Sequence, residues 1–128
     1  MDKNTNSLNW FEIPATDLER AKNFYETILD IQMDPMQEMM GMKMISFPND
    51  PGNGKASGAL AQSENHKPSM EGSIIYLNAD PMIQTVLDKV EAAGGKVTMP
   101  RMEISPEIGC MAFIIDTEGN NVGLHAQN

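Results

Sequence analysis

The chain has 128 residues, 18 acidic against nine basic, for a net charge of −9. That length is one domain's worth, with room for a core that needs no disulfide staples, and the acidic balance repels phosphate backbones and anionic lipid, which excludes nucleic acid and membrane surfaces as partners. The single cysteine, Cys110, allows no intramolecular disulfide and fits a reducing compartment. Met1 to Trp10 is polar and no run of about 18 apolar residues occurs, so the expectation is a soluble cytoplasmic protein.

In chain order, Leu8 to Ile13 reads as a strand that stops at Pro14. Thr16 and Glu19 form a capping box for a helix over 17–29, whose apolar stripe is Leu18, Ala21, Phe24, Tyr25 and Ile28. A short Ile31 to Met33 strand, an alternating Met42 to Phe47 and a Gly/Ala-rich Ala56 to Gln62 follow. The polar stretch from Gln62 to Gly72 is a connecting loop. Ser73 to Asn78 then repeats the opening strand. Asp80 as N-cap and Pro81 at the first helical position start a second helix carrying Ile83, Val86, Leu87 and Val90, which ends at Gly94-Gly95. Lys96 to Met102, Cys110 to Asp116 and Asn121 to His125 complete a second set of strands, with a loop from Glu103 to Gly109 and a turn at 116–120. One domain over 1–128 is expected, made of two βαβββ modules over 8–62 and 73–126.

Four segments carry a family resemblance: F-E-I-P-A-T-D-L-E-R-A-K-N-F-Y at 11–25, Y-L-N-A-D at 76–80, V-E-A-A-G-G-K-V at 90–97 and F-I-I-D-T-E-G-N-N-V-G-L-H at 113–125. Together they resemble the vicinal oxygen chelate superfamily, which takes in glyoxalase I, bleomycin-resistance proteins, fosfomycin-resistance enzymes and extradiol dioxygenases. The resemblance implies an α+β fold of paired βαβββ modules forming a curved sheet around a cleft, in a homodimer. Metal-using members place His or Glu where this chain carries Trp10, Ile74 and Gly123. None of these supplies a nitrogen or carboxylate oxygen ligand, so no metal and no cofactor is expected.

Strand parity says what lines the cleft instead. If Trp10 faces it, so does Glu12, with Ile74, Tyr76 and Asn78 on the second module and Asn121, Gly123 and His125 on the last strand. Glu12, Tyr76 and His125 are the candidate catalytic residues, because a tuned carboxylate or imidazole moves protons and a phenol steadies a developing oxyanion. Each has a plainer reading: Glu12 a solvated edge carboxylate, Tyr76 a core filler, His125 a residue of a frayed terminus. His66 reads as solvent-exposed in its polar loop, and Cys110 as an inert, partly buried thiol.

Six of the twelve methionines fall between Met33 and Met44, and flexible thioethers repack around differing apolar ligands or fill gaps in a core or interface. Trp10, Met42, Met44, Ile74, Asn78, Asn121 and Gly123 are therefore the candidate ligand-binding positions, and the expected partner is a small molecule. Two functions remain open. One is a metal-independent isomerase or lyase related to lactoylglutathione lyase. The other is a drug-sequestering binding protein of the bleomycin-resistance type.

Overall fold

The computed structural model describes residues 1–128 and contains two sheets of identical plan. In the first half β1 (Trp10–Pro14), α1 (Leu18–Leu29), β2 (Gln37–Met39), β3 (Met42–Ser46) and β4 (Ser57–Gln62) give the strand order β1-β4-β3-β2. In the second, β5 (Tyr76–Asn78), α2 (Ile83–Val90), β6 (Lys96–Ser105), β7 (Gly109–Ile115) and β8 (Asn121–Ala126) give β5-β8-β7-β6. Each opening strand lies parallel to the last strand of its own half, and the other pairings are antiparallel. The repeat seen in the sequence is thus a repeat of topology. No helix is long and apolar enough to cross a membrane.

Both helices bury the stripes read from their spacing. Leu18, Ala21, Phe24, Tyr25 and Ile28 of α1 and Ile83, Val86, Leu87 and Val90 of α2 join Ile13, Ile45, Leu60, Leu77, Ile114, Val122 and Leu124 in one core shared by the two halves. Each large aliphatic or aromatic side chain fully buried there contributes about 1.5–3 kcal/mol. Because side chains alternate along a strand, the residues between these core positions point away from the helices.

Several boundaries differ from the sequence reading. Asp17, not Thr16, caps α1, accepting from the Arg20 N–H at 3.1 Å, and the Thr16 N–H to which Glu19 would have closed a capping box goes to Glu118 instead. The second helix begins at Ile83 with Met82 as a cap that makes no side-chain bond. Asp80 is diverted by the far end of the chain, where its carboxylate accepts the Gln127 N–H at 2.8 Å. The Ile31 to Met33 segment is not a strand. The Met33 N–H goes to the Glu26 carboxylate, and β3 instead pairs with Gln37–Met39 across a tight turn at Met40 and Gly41, both at positive φ. In the second half, β5 starts only at Tyr76, while β6 runs on to Ser105 through register shifts that use part of the expected loop.

The halves are clasped by the turn after β7. Asp116 is buried and accepts the Tyr25 hydroxyl at 2.7 Å, the N–H groups of Glu118 and Asn120 at 2.9 Å, and the Asn120 side-chain amide at 3.0 Å. Asn120 also donates to the Pro14 carbonyl at 2.7 Å, and its Oδ1 accepts the Ser69 N–H. Glu118 takes the N–H groups of Thr16 and Asp17, both at 2.8 Å, and a two-pronged contact from Arg20 at 2.7 and 3.0 Å. No buried side-chain polar atom is left without a partner.

Candidate functional site

The open face of the first sheet is the more clearly built of the two. Trp10 pairs with Ser57 and Glu12 with Ala59, while Phe11 and Ile13 turn to the core. Ala59, Ala61 and Met44 are packed on that open face with Met42 beside them, so small side chains and two thioethers make a floor next to the Glu12 carboxylate. Trp10 remains 40% exposed at the head of the same strand.

Glu12 has an unforeseen partner. His66 Nε2 donates to Glu12 Oε1 at 2.8 Å, and the Ser63 hydroxyl lies 2.6 Å from His66 Nδ1. A carboxylate only accepts, so the bond to Glu12 places the ring proton on Nε2 and leaves Nδ1 to accept from Ser63. The reading of His66 as solvent-exposed is overturned, since only 16% of its side chain is accessible. Its partner comes from 54 residues away, which the local sequence does not announce; the Ser63-x-x-His66 spacing of a turn is the one local sign.

Two concavities meet at Glu12. A cavity of about 210 Å³ lies where the halves adjoin, lined by Glu12, Lys67, Ser69, Ser73, Ile75 and Asn121 among others. A more open depression of about 590 Å³ is walled by Met40 and Met42 on one side and Ser63, Asn65 and His66 on the other, with Glu12 again at its edge. Polar groups that converge beside apolar walls are the usual composition of a small-molecule site.

The remaining candidates lie elsewhere. Tyr76 packs its ring against Phe113 at a tilt of 48° and sits over Gly123, where a Cβ would stand 2.5 Å from Tyr76 Cδ1. Tyr76, Ile74 and Asn78 line a larger apolar groove of about 740 Å³ together with Leu8, Phe11 and Phe47. His125 Nε2 donates to the Ile108 carbonyl at 2.7 Å. Of the candidate ligand-binding residues, Met42 and Asn121 therefore share a concavity with Glu12, and Met44 lies in the floor. Glu12 and Tyr76 both point away from the helices, but Tyr76 and His125 make no hydrogen bond to Glu12. Cys110 is fully buried rather than partly so, its Sγ 3.5 Å from the Ala126 carbonyl.

Three groups depart from their ordinary acidity, and all belong to the clasp. Burial, and then the charge and hydrogen bond of Asp116, push the Tyr25 phenol well above its usual value. The Arg20 guanidinium is raised by its hydrogen bond to and the charge of Glu118. Burial works to raise the Glu118 carboxyl, but the hydrogen bonds from Arg20, the Asp17 N–H, Thr117 and the Thr16 N–H together hold it below the usual carboxylate range.

The sequence profile of the glyoxalase/bleomycin resistance protein/dioxygenase superfamily matches residues 7–124. The chain belongs to that superfamily. It is 33% identical over 122 residues to the glyoxylase-named protein CFP32 of Mycobacterium tuberculosis, covering 94% of this chain but 45% of the relative, so it spans about half the length of that protein. A glyoxylase-like domain-containing protein of Didymella fabae is 30% identical, with 88% of each chain covered. Among solved structures, a glyoxalase/bleomycin resistance protein from Streptomyces sp. CB03234 superposes with a TM-score of 0.68 at 22% identity over 93% of this chain and 99% of that one. The antibiotic-binding protein TnmS3 from the same organism gives 0.64 at 16% identity over 99% and 100%. These structures share the fold of paired modules.

The residues at the three positions matched to the superfamily's metal ligands do not fit a metal ion. Tyr76 covers Gly123, the Trp10 and Ile74 side chains offer no ligand atom, and no three His, Cys, Asp or Glu side chains converge as a metal site requires.

Proposed function

We propose that this superfamily member is a metal-independent small-molecule enzyme of the isomerase or lyase type. In this reading Glu12, oriented by His66, moves a proton on a small carbonyl or hydroxy compound held where the two concavities meet. The observation that carries it is the 2.8 Å Glu12–His66 bond at that meeting point, an acid–base pair within reach of a ligand on either side. Tyr76 and His125, on the open face of the second sheet, would contribute only where the ligand extends to them. A cytoplasmic location and a homodimer belong to the same proposal, the latter because Tyr76, Met102, Ile104 and Ile108 leave apolar surface uncovered.

A second reading has its own support. The groove beside Ile74 and Tyr76 is lined by ten hydrophobic residues out of 14, which suits an apolar ligand that is bound and not transformed, and TnmS3 is an antibiotic-binding protein of the same fold. Fluorescence of Trp10, the only tryptophan, finds ligands by quenching. With a turned-over compound in hand, Glu12→Gln separates the readings. An enzyme loses turnover by about two to four orders of magnitude with affinity kept. Turnover unchanged in Glu12→Gln ends the general-base proposal.

A further inference from the structure

Ser63 follows β4 directly and opens a turn in which the His66 N–H donates to its carbonyl at 3.2 Å. A local clasp would need no more than that. Here the imidazole is also tied to Glu12, and the Ser63 oxygen accepts the Asn65 N–H at 3.1 Å while its hydroxyl donates to Nδ1. A hydroxyl oxygen has two acceptor positions, so one lone pair remains for attack. A hydroxyl with a base at 2.6 Å, and a third group orienting that base at 2.8 Å, is the arrangement that activates a weak nucleophile.

We propose that Ser63, His66 and Glu12 form an acyl-accepting relay for small activated esters or thioesters with an apolar acyl group. The inference rests on the Glu12–His66 pair of the proposed function and adds a nucleophile within the chain. The Ser63 Oγ–carbon bond forms as the hydroxyl proton passes to His66 Nδ1, and the Glu12 carboxylate on Nε2 steadies the imidazolium. Collapse of the tetrahedral species breaks the bond to the alkoxide or thiolate, which leaves with the proton from Nδ1. Water, activated by the same nitrogen, then cleaves the acyl-serine and releases a carboxylic acid. Asn65, whose side-chain amide is engaged by no group of the protein, stands on the same wall to donate to the oxyanion, and Met40 and Met42 face the acyl chain.

The test is intact-mass spectrometry of the full chain after exposure to p-nitrophenyl butyrate and, separately, to a fluorophosphonate. One adduct per chain is expected on each, mapped to Ser63, absent in Ser63→Ala and formed about a hundredfold more slowly in His66→Asn. Ser63→Cys, with its fold verified by melting, should take up the butyryl group at the same position. No adduct on folded wild type, an adduct mapped elsewhere, or an unchanged rate in His66→Asn overturns the proposal. A protein that turns over a small carbonyl compound through Glu12 yet is never acylated at Ser63 overturns the relay and leaves the proton-transfer reading standing.

Discussion

Glu12 and Glu118 both lie where the two modules meet, yet they sit in opposite circumstances. Glu118 has a fully buried side chain and receives hydrogen bonds from Thr16, Asp17, both prongs of Arg20, and Thr117. Glu12 is 31% exposed at its side chain and bonds to His66 alone. A carboxylate whose acceptor positions are filled by its own protein has nothing left for a ligand. One with a single partner and an open side is free to act. The D-T-E-G-N turn at 116–120 therefore holds the modules together, whereas Glu12, midway along β1, keeps an open side toward the cavity.

The largest effect that sharpens this contrast falls on Asp116. Asp116→Ala strands the buried Tyr25 hydroxyl and two N–H groups and should cost about 3 kcal/mol or more in urea unfolding. Glu12→Gln should cost about 1 kcal/mol at most, because the residue is partly exposed and has one hydrogen bond to lose, that to His66. Equal losses in the two variants would erase the division of labour.

Titration of the clasp gives the next effects. Glu118 has its folded value lowered, so its contribution is complete above the ordinary value near 4.5 and is lost as the pH falls through the lowered one. Arg20→Met removes the first of the hydrogen bonds that lower it. The melting-temperature gap between wild type and Arg20→Met should therefore be widest near neutrality and narrow on acidification; a gap that stays constant across the acid range contradicts the assignment. Tyr25 has its folded value raised, so stability should fall as the pH rises above about 10 through that higher value. Tyr25→Phe should be less stable at neutral pH by about 1 kcal/mol and lack that alkaline decline, which circular dichroism follows directly.

Smallest is the effect of metal removal. Chelator should leave the melting temperature where it was, because no three ligating side chains converge. Near-stoichiometric Zn, Ni, Mn or Fe in purified protein would move the functional reading toward metal chemistry.

Much of the scaffold was legible because it depends on local periodicity. The helix stripes Leu18 to Ile28 and Ile83 to Val90 and the alternation at Phe11, Glu12 and Ile13 follow from spacing alone. What escaped depends on distant partners. Asp80 and Pro81 carry the local chemistry of a helix start, but Gln127 takes the carboxylate and the helix begins later. Thr16 and Glu19 look like a capping box, but Glu118 takes the Thr16 N–H and Asp17 is the cap. The strand expected at Ile31 to Met33 lies at Gln37–Met39, because the Met40–Gly41 turn sets the register of that edge. At the candidate site, parity placed Glu12 on the open face, whereas His66 and Ser63 came from a loop whose polar composition signals exposure and whose contact with Glu12 spans 54 residues of sequence.

The proposed proton transfer requires Glu12 and His66 to work as one unit. A double-mutant cycle on turnover of a compound found through Trp10 quenching measures this, with Glu12→Gln, His66→Asn and the combined variant compared in kcat/KM. The prediction is that each single change lowers kcat/KM by about a hundredfold or more and that the double loses little beyond the worse single, as groups acting together do. Losses that multiply in the double variant, or singles as active as wild type, would contradict it.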